Sequence, residues 1–483
     1  MNAITIRLPR TTVALLAVAA TGMVAAPQAA GQALTPADIE YPPLNEIEIP
    51  QAERVEMPNG MVVFLLEEHE LPLINVSVRI RTGSRYEPVE KVGLASITAS
   101  VMRTGGAGDR TGAEVDLFLE DRAASLGGGI GSSVGTAGMG VLKESFGDVF
   151  PVLADMLRRP QFEADKIEEA KVQRKSAIAR RNDSPGSITG REFAKLVYGA
   201  ASPYARHTEN ATIDAITRQD LIDFHAKYYH PNQIMLGVTG DFDRAEVLAA
   251  IESEFGDWER AEVDLPREFQ IAPAKAGTVY FVEKTDLTQS NFRVGHLGTT
   301  VDNPDYFAVQ VMNKIFGQGF ASRLFNKIRS EKGLAYSIFG SVGASYDYPG
   351  IFQVGGQTKL ESTAEALEAV LAEIEYMKSG EVSEEELNYA KNAFLNSFIF
   401  NFDSPGEIVG RQMLYEYYGY PADFLQQIRT GITAVTTADV QAAAQRHLHP
   451  DQLVMLAVAD PERLDRPLDE FGEIVTLDVT IPE

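Results

Sequence analysis

Cysteine is absent from the 483 residues. That excludes disulfides, thiol nucleophiles, iron–sulfur clusters and cysteine zinc sites together. Histidine is scarce, seven in all, and tryptophan occurs once. Positive charge is short as well: 43 Lys and Arg stand against 68 Asp and Glu, a formal net charge of -25. Nucleic acid and anionic lipid both need Lys/Arg surfaces, so no nucleic-acid partner is expected. A basic or neutral partner is left open. Apolar residues make up 45% and charged residues 23%, which places the chain among globular proteins. The length suits roughly two to four compact units.

Residues 1–33 read as a secretory signal. Arg7 and Arg10 give a positive start, Val13 to Ala26 an apolar run, and Gly31-Gln32-Ala33 small residues for cleavage. The run falls short of the roughly 20 residues of a membrane span. With no cysteine at the junction, lipoprotein anchoring is excluded. No later segment reads as a transmembrane helix. The expectation is a soluble exported protein, not inserted in a membrane after cleavage, with the periplasm as its place.

The chain is written twice. Asp183-Ser-Pro-Gly-Ser-Ile-Thr-Gly190-Arg191 returns 220 residues later as Asp403-Ser-Pro-Gly-Glu-Ile-Val-Gly410-Arg411. Each copy leads to a Tyr-Gly pair, Tyr198-Gly199 and Tyr418-Gly419, and upstream Ala170-Lys171 matches Ala390-Lys391 at the same offset. Downstream, Ile216-Thr-Arg-Gln-Asp220 matches Val435-Thr-Thr-Ala-Asp439, and His230-Pro231 matches His449-Pro450, now at 219. Five blocks in nearly one register make two related halves.

Both halves follow one plan. Ile74, Val76, Val78 and Ile80 alternate with polar residues as a half-buried strand does, and Val279–Val282 and Phe292–Leu297 play this part in the second half. Ser383 with Glu386 makes a capping box for a helix running toward Phe400. Thr217 with Asp220 and Thr436 with Asp439 start another helix in each half. Those helices end near His230-Pro231 and His449-Pro450, since proline disfavours helix in the residue before it. Final strands follow at Ile234–Val238 and Leu453–Val458. This order implies an α+β fold, each half an antiparallel-rich sheet packed with helices. The expected division is a first domain over 34–262, a linker over 263–277 and a second domain over 278–483.

No two histidines have the i, i+4 spacing of a helical zinc pair. His225 and His230 are five apart, and His447 and His449 two apart, at helix ends where the helix dipole favours them without any metal. Neither a Walker loop nor a strand-to-helix nucleophile elbow is expected. Gly127-Gly128-Gly129-Ile-Gly131 is either a flexible turn, the preferred reading, or a sheet edge that a peptide backbone could approach. One constellation is richer. Ser322 to Lys332 reads as a helix stopped by a C-cap at Gly333, and Leu334 to Phe339 as the next strand. Arg329 then lies in a last helical turn and Tyr336 just beyond it, so both can face one spot. Together they offer hydrogen-bond donors to a carbonyl gaining negative charge. A helix-end arginine beside a core tyrosine is the plainer alternative.

The two-half plan and the run Ile328-Arg-Ser-Glu-Lys-Gly-Leu-Ala-Tyr336 resemble the M16 metallopeptidases, the pitrilysin and mitochondrial-processing-peptidase group, over nearly all of the chain after residue 33. The resemblance implies that Arg329 and Tyr336 contact substrate and help stabilise the tetrahedral intermediate. Active members carry His-x-x-Glu-His just after a Gly-Leu-Ala. Here Gly93-Leu94-Ala95 is followed by Ser96-Ile-Thr-Ala99-Ser100. Ser96 and Ser100 take the histidine positions and Ala99 that of the catalytic glutamate; Ala177 falls where the third ligand, a glutamate, belongs. No zinc or other metal is therefore expected in this chain. The resemblance is to heterodimeric bacterial members, in which one subunit bears zinc and the other supplies Arg and Tyr. It implies a zinc-bearing homologous partner and a peptide substrate. The alternative is a peptide-binding or scaffold protein of an envelope complex. A hydrolase using Ser96 or Ser100 would need a positioned base, which the sequence does not place beside either.

Overall fold

The computed structural model describes residues 50–266 and 269–482. The expected export signal, residues 1–33, lies outside them. Two sheets organise the chain. The first holds β1 (Glu53–Glu56), β2 (Val62–Glu67), β3 (Leu73–Ile80), β4 (Ser125–Ile130), β5 (Gly135–Leu142) and β6 (Ile234–Gly240), in the order β1-β2-β6-β3-β5-β4. The second holds β7 (Thr278–Glu283), β8 (Gln289–Leu297), β9 (Thr299–Thr300), β10 (Ala335–Ser345), β11 (Pro349–Lys359), β12 (Val454–Ala459) and β13 (Glu473–Thr476), in the order β13-β7-β12-β8-β11-β10-β9. The shared order is the repeat made visible. In each sheet the last long strand returns to lie parallel to the first and antiparallel to the second. The remaining long pairs are antiparallel, and helices pack on the sheets, so the fold is α+β.

Alternation builds β3, whose Ile74, Val76, Val78 and Ile80 are buried between more exposed neighbours. β6 and β12 are apolar on both faces and nearly continuous in burial. They are central strands covered on both sides. The capping boxes of Thr217, Ser383 and Thr436 are all formed. The Ser383 helix ends earlier than expected, at Asn396, and a short 3-10 turn over Phe398–Asn401 takes its place.

The repeated Asp-Ser-Pro-Gly blocks do something that the repeat alone does not announce. Ser184 and Ser404 are N-caps, each followed by a first-turn proline, and Gly199 and Gly419 end the helices at φ +91 and +78. The helix Pro185–Tyr198 then packs on β8 and β12 of the second sheet. Its Ile188, Phe193, Leu196 and Val197 belong to the second core. Reciprocally, the helix Pro405–Tyr418 lies on β2, β3 and β6, where Val409, Met413 and Tyr417 cluster with Phe64 and Met235. The halves exchange equivalent helices. Polar ties reinforce the exchange: Arg81 donates to the Tyr417 carbonyl (2.8 Å), Tyr417 Oη to Ser133 O (2.5 Å) and Tyr198 Oη to Pro349 O (2.8 Å). Arg85, 6% exposed, pairs with Asp347. No helix among the described residues is long and apolar enough to cross a membrane.

Candidate functional site

Ser96, Ala99 and Ser100 lie on one face of the helix Leu94–Thr104. The helix opens at Gly93, held at φ +112, where a β-carbon would meet Ile213 and Thr208 within 3 Å. The buried Glu87 carboxylate accepts from the N–H groups of Gly93 (3.1 Å) and Ala95 (2.6 Å), satisfying two orphan donors of the first turn. Burial raises its pKa against those two bonds. Ser96 and Ser100 are half-buried and Ala99 is buried. Ala177 lies exposed on the helix Ala164–Ala179, which packs beside this one.

Two hydroxyls and two methyls are no home for zinc, which takes thiolate, imidazole or carboxylate ligands. Among the described residues no group of three or more His, Asp and Glu is gathered as a metal site. A serine mechanism finds no base here. The Ser96 hydroxyl donates to Gly93 O (2.9 Å), and His225, on the neighbouring helix Arg218–Tyr228, bonds Leu157 O through Nε2 (2.8 Å). Gly131-Ser-Ser133-Val-Gly135 does have Gly-x-Ser-x-Gly spacing. It forms the turn between β4 and β5, not a strand-to-helix elbow. Gly127–Gly129, for which a turn was the preferred reading, instead form the edge strand β4, paired only with β5. A β-carbon added at Gly127 would meet nothing within 4 Å.

Arg329 and Tyr336 do meet. The guanidinium carbon of Arg329 lies 5.1 Å from the Tyr336 ring centre and 4.7 Å from that of Phe325. Two irregularities aim them. The expected helix over 322–332 is wound as a π-turn at Phe325–Glu331, with Lys332 N–H bonding Lys327 O (3.2 Å). Gly333, at φ +65, closes it as the expected cap, and Leu334 N–H reaches Ile328 O (2.9 Å). Tyr336 then falls in a β-bulge. Ala335 pairs with Thr358 and Ser337 with Gln357, leaving Tyr336 without an opposite number. Strict alternation would place Tyr336 and Ser337 on opposite faces; the bulge leaves both exposed, Tyr336 at 73%. The core tyrosine of the plainer alternative is thus not what the fold contains. The guanidinium lies over both rings, a cation–π contact that makes no use of its N–H groups as hydrogen-bond donors. Among the described residues neither those groups nor the Tyr336 hydroxyl has a hydrogen-bond partner. The arrangement is a donor cluster at the start of β10, able to grip a carbonyl or an oxyanion.

Sequence reasoning passed over Arg323. It is 9% exposed and donates through Nε and Nη2 to Glu386 Oε1 (2.6 Å) and Oε2 (2.9 Å). The Arg323 bond holds the Glu386 carboxyl down at about 2. The capping box at Ser383 identified Glu386 as a helix-start residue, and nothing in the pattern announced its second bond.

The fold is shared with known proteins. Residues 62–194 match the family described as Insulinase (Peptidase family M16), and residues 215–394 match the Peptidase M16 inactive domain. A Rickettsia felis protein named "Uncharacterized zinc protease" is 25% identical over 388 residues, 78% of this chain and 91% of that one. A Helicobacter pylori protein named "Non-peptidase homolog YmxG" is 23% identical over 402 residues, 82% of this chain and 91% of that one. The crystal structure of a peptidase M16 inactive domain from Pseudomonas fluorescens superposes with a TM-score of 0.77 at 25% identity, covering 87% of this chain and all of that one. The two matched stretches together hold most strands of both sheets, and the chain belongs to peptidase family M16, of the type without a zinc site of its own.

Proposed function

We propose that this chain is the non-zinc subunit of an exported M16-type endopeptidase. It supplies Arg329 and Tyr336 to a zinc-bearing homologous partner, which hydrolyses peptides. The observation that carries the reading is the contrast between the two sites. The helix of Ser96 and Ser100 offers neither metal ligand nor base, whereas the half-buried Arg329 and the exposed Tyr336 present donors that have no hydrogen-bond partner among the described residues. In this reading the two donors bind the scissile carbonyl and strengthen their hold as it becomes an oxyanion, while water activation belongs to the partner. The first domain, 34–262, offers the open edge of β4 to an extended peptide backbone. The segment 263–277 links it to the second domain, 278–483, which carries the pair. The complex works in the periplasm once residues 1–33 are removed.

The test is copurification from the native envelope followed by peptide cleavage. A homologue carrying zinc is expected in near-equal amount, with activity requiring both chains. Arg329→Ala should lower kcat by about 100-fold, as loss of one oxyanion donor does, and Tyr336→Phe less, with assembly unchanged. Rates unaffected by both variants refute the catalytic role. A second reading, a scaffold or peptide-binding protein without hydrolysis, draws support from the Helicobacter relative's name as a non-peptidase homologue. It predicts that no zinc-bearing chain copurifies.

A further inference from the structure

The turn that carries Arg329 is anchored at both ends. At its far end stand the Gly333 cap, the Leu334 N–H bond to Ile328 O, and Thr358 Oγ1 donating to Leu334 O (2.5 Å). At its near end stands Arg323, two residues before the π-turn begins. Besides its two bonds to Glu386, Arg323 donates to Glu381 O (2.8 Å) and lies 5.0 Å over the Tyr376 ring. Glu386 meanwhile accepts from Ser383 N–H and Oγ, both at 3.0 Å, as the capping box of the helix Glu384–Asn396. Tyr376 belongs to the helix Thr363–Ser379. A single guanidinium thus fixes the start of the π-turn against two helices.

Arg323 is buried, whereas the Glu386 side chain keeps 33% of its surface. The pair is poor stabilisation, because the guanidinium loses its water to a carboxylate that remains partly solvated. What such a pair does supply is geometry. The fork of Arg323 meets one carboxylate in one orientation only. A π-turn is uncommon and persists where its surroundings impose it. We infer that Arg323 is a positioning residue. Its bidentate bond to Glu386 imposes the π-turn and thereby holds Arg329 against the Tyr336 ring. The inference rests on the reading that Arg329 and Tyr336 contact peptide, and it extends the site to a pair that touches no substrate. Lysine cannot substitute, having neither the fork nor the planar face.

The test uses the full chain and a variant that keeps the local charge, Arg323→Lys. The first readout is a crystal structure of Arg323→Lys. Residues 325–331 should return to α-helical bonding, with the Arg329 guanidinium withdrawn from the Tyr336 ring. A retained π-turn with the stacking intact overturns the inference, whatever the peptide data say. The second readout is fluorescence anisotropy with reduced, carboxymethylated α-lactalbumin, a permanently unfolded chain. Affinity should fall about tenfold in Arg323→Lys, the scale expected of a misplaced contact, and should not fall further when Arg329→Ala is already present. An equal fall in both backgrounds marks a merely structural role and overturns positioning. Should Arg329→Ala itself leave binding unchanged, the peptide-contact reading fails, and the crystal structure alone decides what Arg323 does.

Discussion

Gly237 is where the exchange of helices can be broken with a single methyl group. It sits in β6, opposite Phe64 of β2 and Ser77 of β3, under the helix Pro405–Tyr418. A β-carbon there would lie 2.4 Å from Val409 Cγ1, 2.6 Å from Met413 Sδ and 2.7 Å from Ser77 Oγ. Val409 and Met413 are fully buried, so neither can swing aside into solvent and the helix must lift. Overpacking of this kind costs about 1–3 kcal/mol. Alanine recovers about 0.5–1 kcal/mol of that through lower backbone entropy in a strand. Contacts this short put the overpacking cost in the upper half of its range, so the net loss for Gly237→Ala is about 1–2 kcal/mol; with an unfolding entropy of about 2.1 cal/mol/K per residue, a chain of this length then melts about 1–2 °C lower. Scanning calorimetry of the protein measures it. Gly127→Ala on the open edge of β4, where nothing lies within 4 Å, is the control and should not lower it. Met413→Ala destabilises the parent as any large-to-small core change does. In the Gly237→Ala background it should cost at least about 1 kcal/mol less, because the two sites share one space. Gly237→Ala melting with or above the parent, or strict additivity of the pair, would refute the interlocked packing.

Two further outcomes follow from the same structure. His296 is 5% exposed, with Nδ1–H donating to Leu297 O (2.6 Å) and Nε2 accepting from His449 N–H (3.0 Å), so burial pushes its pKa down to about 4. A depressed folded pKa means stability present above the unfolded value near 6.5 and lost as pH falls toward 4, on the order of 3 kcal/mol in all. Urea unfolding at pH 7 and pH 4.5 should show this loss reduced in His296→Asn, and an identical pH dependence in both proteins would count against the assignment. Residues 34–262 expressed alone should give no cooperative melt, since the apolar face of Pro185–Tyr198 lies bare and β6 lacks Val409 and Met413. Mixing with 278–483 should restore one, and a cooperative transition of the first segment by itself would contradict the exchange.

The sheets were legible because strand alternation and β-branched residues are local signals, and the caps because Ser/Thr with an acid three residues on is a local bond. The exchange was not legible. The periodicity of Ile188, Phe193 and Leu196 states that a face is buried and is silent on which sheet buries it, and the two sheets of a repeat protein offer similar surfaces. Gly127–Gly129 misled for a related reason: glycine has little strand preference of its own, and the ladder to Gly138, Ala137 and Thr136 supplies what the residues lack. At the candidate site, the spacing from Arg329 to Tyr336 located the pair, but its stacking depends on the π-turn and the bulge. Both are choices of hydrogen-bond register made by distant partners, Glu386 and Thr358, more than 20 residues away in sequence.

The two sites differ in what the fold itself would keep. Leu94, Ala95, Ile97, Val101 and Met102 are core residues of the first half, so the helix of Ser96 and Ser100 persists for packing whether or not any chemistry remains on it. Ser96, Ala99 and Ser100 are small residues on a half-buried stripe of that helix. Arg329 and Tyr336 stand otherwise. An aromatic ring 73% exposed, a guanidinium without a hydrogen-bond partner among the described residues, a π-turn and a bulge each cost stability or leave it unimproved. Behind them the buried Arg323 gives up its hydration to a carboxylate that keeps part of its own. Packing alone accounts for the first helix and does not account for the second arrangement, and strain concentrated at a surface donor cluster is the pattern of a site in use. That asymmetry within one chain favours the peptidase-subunit reading over an inert scaffold. The two readings part on function, because both expect serine at these positions to raise or preserve the melting temperature: if Arg329 and Tyr336 are idle, the double serine variant should bind and cleave peptide as the parent does, and a loss of either with the fold intact would refute the inert scaffold.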